Sequence, residues 1–94
     1  MTVFYGEEAR ITLYEISDFV DSINIEGAGY RWTTKFEAWL EGYAKSNVTY
    51  SLCRDEYLAS LNLSCINFND WIIAFKIEGD LFVVHKIIRG SILF

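Results

Sequence analysis

His85, Lys86 and Arg89 fall close together at the end of an apolar run, Leu81-Phe82-Val83-Val84-His85-Lys86-Ile87-Ile88. His85 is the only histidine, and so the one side chain suited to trade a proton near neutral pH as a general acid or base. It shares strand parity with Leu81, Val83 and Ile87. Lys86 and Arg89, with Arg54 nearby, would offer cations to a phosphate or a carboxylate. Each has a blander reading, and the blander one is preferred. His85 then sits at the edge of a packed face, bonded to backbone, and the cations are solvated groups at a strand end.

Other chemistry is sparse. Glu7-Glu8 and Asp55-Glu56 are adjacent carboxylates, and neighbours in sequence do not face each other on a helix. Gly27-Ala28-Gly29 lacks the rest of a phosphate-loop fingerprint and follows no strand. No serine sits in a nucleophile-elbow pattern. One histidine and two cysteines, with no CxxC pair, argue against a zinc site, and no cofactor is implied. A Cys53–Cys65 disulfide is conceivable, but two small buried thiols in a reducing cytosol are the favoured reading.

The elements that must position these residues follow from periodicity. Residues 2–5 are short and β-prone, an expected edge strand. Gly6-Glu7-Glu8 opens a helix with acids in its first turn, which suits the helix dipole. Ala9, Leu13, Ile16, Val20 and Ile23 then recur at helical spacing. Asp18 and Asp21 fall off that stripe, as a solvated acidic face or one that meets a basic partner segment. Asn24 to Gly29 is the link. A second helix, from about Gly29 to Lys45, carries the stripe Trp32, Phe36, Trp39, Leu40 and Tyr43. Residues 46–50 read as a loop and residues 51–58 as a short helix.

Strands are expected over residues 61–68, 71–78 and 80–88, joined by Asn69-Asp70 and by Gly79. Trp71, Ile73, Phe75 and Ile77 share one face. The last strand is apolar on both parities, as for a strand covered on both sides. The tryptophans fit a core better than a base-stacking platform. The apolar tail ending at Phe94 is costly to expose and should pack on the protein or on a partner. The reading is one α+β domain over residues 1–94, a two-helix antiparallel hairpin packed on a small antiparallel β-sheet.

Composition narrows the function classes. The chain is 52% hydrophobic and 17% aromatic, more aromatic than one small core needs, so a partner-covered apolar patch or a homodimer is plausible. Net charge is −5, all of it carried by residues 7–26, whereas residues 31–54 are locally basic. An acidic domain does not draw phosphate through its overall field, so direct nucleic-acid binding is not expected. No apolar run is long enough to span a membrane and the first ten residues do not resemble a secretion signal, so a cytoplasmic location is expected.

The order of elements and several strings resemble the RelE/ParE toxin superfamily of bacterial type II toxin–antitoxin (plasmid stabilization) systems. They are Ala9-Arg10-Ile11-Thr12-Leu13-Tyr14-Glu15-Ile16 followed by Asp18-Phe19-Val20, then Trp71-Ile72-Ile73-Ala74-Phe75-Lys76-Ile77, Glu78-Gly79-Asp80 and Val83-Val84-His85-Lys86-Ile87-Ile88-Arg89-Gly90. The resemblance implies a toxin neutralised by a small wrapping antitoxin that adds helix or strand to its surface. RelE-like members cleave ribosome-bound mRNA; ParE-like members block DNA gyrase by binding it. Ser64 stands where the nuclease branch carries a functional Arg, and Arg89-Gly90 where His-Gly is usual. The chain is also acidic where the toxins are normally basic. The resemblance therefore points to a ParE-like toxin that binds rather than an enzyme. A RelE-like endonuclease and a degenerate, non-toxic interaction module are the alternatives. Lys86, Arg89, His85 and Arg54 are then the candidate target-binding residues, and Trp32, Trp39 and Phe94 the candidate antitoxin contacts.

Overall fold

A computed structural model describes residues 1–46 and 50–90. Phe94 with its apolar tail, and the centre of the loop expected at 46–50, lie outside the described residues. The elements run β1 (Thr2–Tyr5), α1 (Glu7–Ile23), α2 (Ala28–Lys45), α3 (Glu56–Ser60), β2 (Ser64–Phe68), β3 (Trp71–Glu78) and β4 (Leu81–Arg89). The fold is α+β, with strand order β1-β4-β3-β2. The three C-terminal strands are antiparallel as expected. β1 joins β4 in parallel, so the sheet is mixed. A strand that feeds a helical hairpin re-enters the sheet this way because its connection crosses over one face.

α1 and α2 cover that face. Ala9, Leu13 and Ile16 of α1 and Phe36, Leu40 and Ala44 of α2 are buried with Ile73, Phe75, Phe82, Val84 and Ile87 in the main core. Phe75 and Phe82 stack at 4.3 Å between ring centroids. Trp32 and Trp39 project from α2 into an aromatic cluster with Phe68, at 6.0 and 5.0 Å, and Trp32 also meets Trp71. The hairpin is closed tightly where Gly29 meets α1. A Cβ at Gly29 would stand 2.2 Å from the Ser17 carbonyl oxygen. Asp21 has a specific task there: its Oδ1 accepts a 2.8 Å bond from the Gly29 N–H, one of the orphan donors of the α2 N-terminus.

The other face of the sheet has its own small core of Cys53, Leu58, Leu63 and Ala74. Cys53 and Cys65 are joined by a disulfide, which corrects the expectation of two free thiols. Sequence spacing could not bring them together; the bridge of Leu52 to Ser64 and the Cys53 N–H bond to Leu63 O do. The third helix starts later than residue 51 because Asp55 is its N-cap, accepting from the Leu58 N–H at 3.0 Å. β2 is correspondingly shorter than residues 61–68. Asn62, in the left-handed region at φ 61°, turns the chain between α3 and the strand.

Three measurements test this packing. Gly29→Ala should cost about 3 kcal/mol in urea denaturation, because backbone rather than a movable side chain blocks the new methyl. Gly42→Ala, on an open part of α2 with nothing within 4 Å, should gain up to ~1 kcal/mol from helix propensity. Reducing the Cys53–Cys65 bond, which spans 12 residues of sequence, should lower stability by about 3 kcal/mol through loop-closure entropy; equal urea midpoints with and without reductant would contradict this.

Candidate functional site

β4 is irregular where the candidate residues lie. Phe75 pairs with Val84 and Ala74 with Lys86, so His85 is the extra residue of a β-bulge. The bulge reverses the alternation along the strand. Phe82, Val84 and Ile87 face the helices, whereas Val83, Lys86 and Ile88 face the other way. The common parity expected for Val83, His85 and Ile87 is therefore corrected: Val83 and Ile87 lie on opposite faces. A one-residue insertion in one strand has this effect because the side-chain period is two.

Lys86 and Arg89 are engaged within the chain. Lys86 Nζ donates to Glu8 Oε2 at 2.7 Å and lies 6.0 Å from the centre of the Tyr57 ring. The hydrogen bond to Glu8 holds the Lys86 ammonium above its ordinary pKa, against a smaller opposing effect of burial. His85 Nε2 is 3.7 Å from Glu78 Oε2, too far for a hydrogen bond, and that nitrogen is shielded from solvent with no partner. The Arg89 guanidinium lies 5.9 Å from the centre of the Trp71 ring. Arg54 lines a separate cleft with Asp55, Cys53, Cys65, Asn67 and Ile72, in which neither Lys86 nor Arg89 takes part. Ser64, paired with Phe75, is buried and presents no charge. The structure thus brings His85, Lys86 and Arg89 onto one strand segment without a shared point of action. Trp32 and Trp39 are half-buried in the aromatic cluster beneath α2.

Clefts lie on both sides of α1. β1 ends at Tyr5, opposite Val84, so β4 beyond that point has no strand on its outer side among the described residues. A cleft of about 350 Å³ lies there, between Thr12, Glu15, Ile16 and Phe19 of α1 and Ile87, Ile88 and Arg89 of β4, with Trp71 at its end. Its lining is mainly apolar. The strand lengths alone, four residues against nine, could have signalled this uncovered edge. A second cleft of about 330 Å³ opens between α1 and α2 above Tyr5. Nothing in the sequence pattern pointed to it. Large apolar side chains remain exposed along the same helices, among them Ile11, Tyr14, Phe19, Ile23 and Tyr30.

Among the described residues no group of three or more His, Cys, Asp or Glu side chains could hold a metal ion. No helix of the described residues is long and apolar enough to cross a membrane. No protein-family model matches the sequence, and no curated protein matches it.

The Lys86–Glu8 pair makes a pH-dependent contribution. The folded-state pKa of Lys86 is raised, so the stabilisation is complete below the ordinary lysine value of 10.5 and is lost as pH climbs through the folded value. Glu8 is 64% exposed, so the pair is screened and worth about 0.5 kcal/mol. Urea midpoints at about pH 8 and about pH 11 should fall further for the native chain than for Glu8→Gln by that amount.

Proposed function

We propose that this chain is a ParE-like toxin component of a type II toxin–antitoxin system. It acts by protein–protein binding on a gyrase-type target and is neutralised by a cognate antitoxin. One observation carries the choice of binding over catalysis. Lys86 is taken up by Glu8 and Arg89 lies over the Trp71 ring, and His85 shares no point of action with either, whereas the apolar cleft beside β4 and the exposed side chains of α1 remain open to a partner. RNA cleavage by phosphoryl transfer needs a base, an acid and cations converging on one point. A strand edge with no neighbouring strand among the described residues, beside an apolar cleft, suits an extended partner segment, which would add to the sheet and place side chains against Ile16, Phe19 and Ile87.

A second reading is favoured by the Cys53–Cys65 bond and the acidic charge: a non-toxic interaction module of the same architecture. Disulfides persist in oxidising compartments and are rare in the cytosol, where gyrase works.

Expression of the chain without its neighbouring gene separates these readings. A ParE-like toxin should arrest growth with a DNA-damage response and leave translated mRNA uncut, and co-expression of the neighbouring gene's product should restore growth. Arrest accompanied by mRNA cleavage that His85→Ala abolishes would instead support the nuclease. Healthy growth at high expression would support the interaction module.

A further inference from the structure

The cleft between the two long helices holds a set of polar groups that the fold leaves without partners. Tyr5 of β1 forms its floor. Arg10 and Tyr14 of α1 line one wall, and Tyr30, Thr33 and Glu37 of α2 the other. Tyr30, Thr33 and Glu37 are spaced to lie on one face of α2, as Arg10 and Tyr14 are on α1. Tyr5 Oη and Thr33 Oγ1 are both buried, and neither makes a hydrogen bond. A buried hydroxyl without a partner is destabilising, and two of them lining one cleft is not what packing alone would produce. Arg10 and Glu37 bring opposite charges to the same cleft, yet neither forms an ion pair among the described residues.

The chemistry of these groups defines an occupant. A lone anion would meet Arg10 but be repelled by Glu37; a lone cation would meet the reverse. A molecule carrying both charges satisfies both walls. Burial first, and then the carboxylates of Glu37 and Glu41, raise the pKa of the Tyr5 phenol, so it stays neutral and able to donate or accept a hydrogen bond. Leu13 and the rings of Tyr14 and Tyr30 add apolar surface for a side chain. Tyr14 and Tyr30 are each 74% exposed, so their rings can turn aside to admit a ligand to the shielded floor. The volume lies at the small end of the range for small-molecule sites.

We propose that the α1–α2 cleft binds a small zwitterion of the amino-acid type with an apolar or aromatic side chain. Arg10 takes the carboxylate, Glu37 takes the ammonium, and Tyr5 and Thr33 supply the hydroxyls at the floor. This inference goes beyond the toxin reading and does not rest on it.

L-phenylalanine is the probe, titrated into the isotope-labelled full chain and followed by NMR. Saturable shifts are expected at Arg10, Thr33 and Glu37, with a Kd on the order of 1 mM or tighter. N-acetyl-L-phenylalanine, lacking the ammonium, and L-phenylalaninamide, lacking the carboxylate, should each bind about ten-fold more weakly. Arg10→Gln should remove the preference for phenylalanine over its amide, and Glu37→Gln the preference over its acetyl derivative. Both substitutions are at the cleft wall, and circular dichroism checks that the variants fold. Tyr5→Phe and Thr33→Val give an independent readout: each should keep or raise the melting temperature of the ligand-free chain while weakening binding. The proposal is overturned if phenylalanine gives no saturable shift, if all three compounds bind equally, or if the Tyr5 and Thr33 variants bind as the native chain does.

Discussion

The parallel ladder between β1 and β4 spans four residue pairs and stops at Tyr5 and Val84, with the Gly6 N–H adding a 2.8 Å bond to Val84 O. At that point the chain leaves the sheet as α1. The next residue of β4, His85, is the one that bulges. These two events fix the character of the molecule. The first leaves the outer edge of β4 without a strand from His85 onward among the described residues. The second turns Ile87 toward the helices and Lys86 away from them, within reach of Glu8 at the start of α1. A bulge at this position lets one strand serve two registers: flat pairing with β1 below it and packing under α1 above it.

The two faces of the sheet are stabilised by different means. On the helix side, interlocked rings of Trp32, Phe36, Trp39, Phe68, Phe75 and Phe82 exclude water, and burial of their area is the main stabilising term. On the other side, among the described residues, a five-residue helix and the segment around residues 52–54 cover β2 and β3. So thin a layer buries little apolar area, and the Cys53–Cys65 bond compensates by limiting the unfolded chain. The helical hairpin is likewise pinned at one end, by the close approach of Gly29 to Ser17 and the Asp21 cap. Further along the same pair of helices a cleft opens between them, with its unpartnered hydroxyls.

Much of the framework was legible in the residue pattern. The apolar spacing of Ala9, Leu13, Ile16 and Val20 and of Trp32, Phe36 and Leu40 placed both long helices almost to the residue. The alternation of Trp71, Ile73, Phe75 and Ile77 placed β3 and its buried face. The candidate sites were not legible in the same way. Lys86 and Arg89 read as cations available to a ligand, but Glu8, 78 residues away, and the Trp71 ring take them up. Arg54 read as their neighbour, but it lines another cleft. Tyr5, Thr33 and Glu37 carried no signal, because no local spacing joins a residue of β1 to two residues of α2.

The sequence by itself determined the two long helices, β3 and the apolar side of each, because backbone period and side-chain chemistry are local properties. Only the tertiary structure decided the direction of β1, the bulge at His85, the Cys53–Cys65 bond and the partners of Lys86 and Arg89. Each of these depends on pairing between distant segments, where a shift of one residue exchanges the two faces of a strand. The same holds for the cleft above Tyr5: its chemistry is assembled from three elements and belongs to none of them.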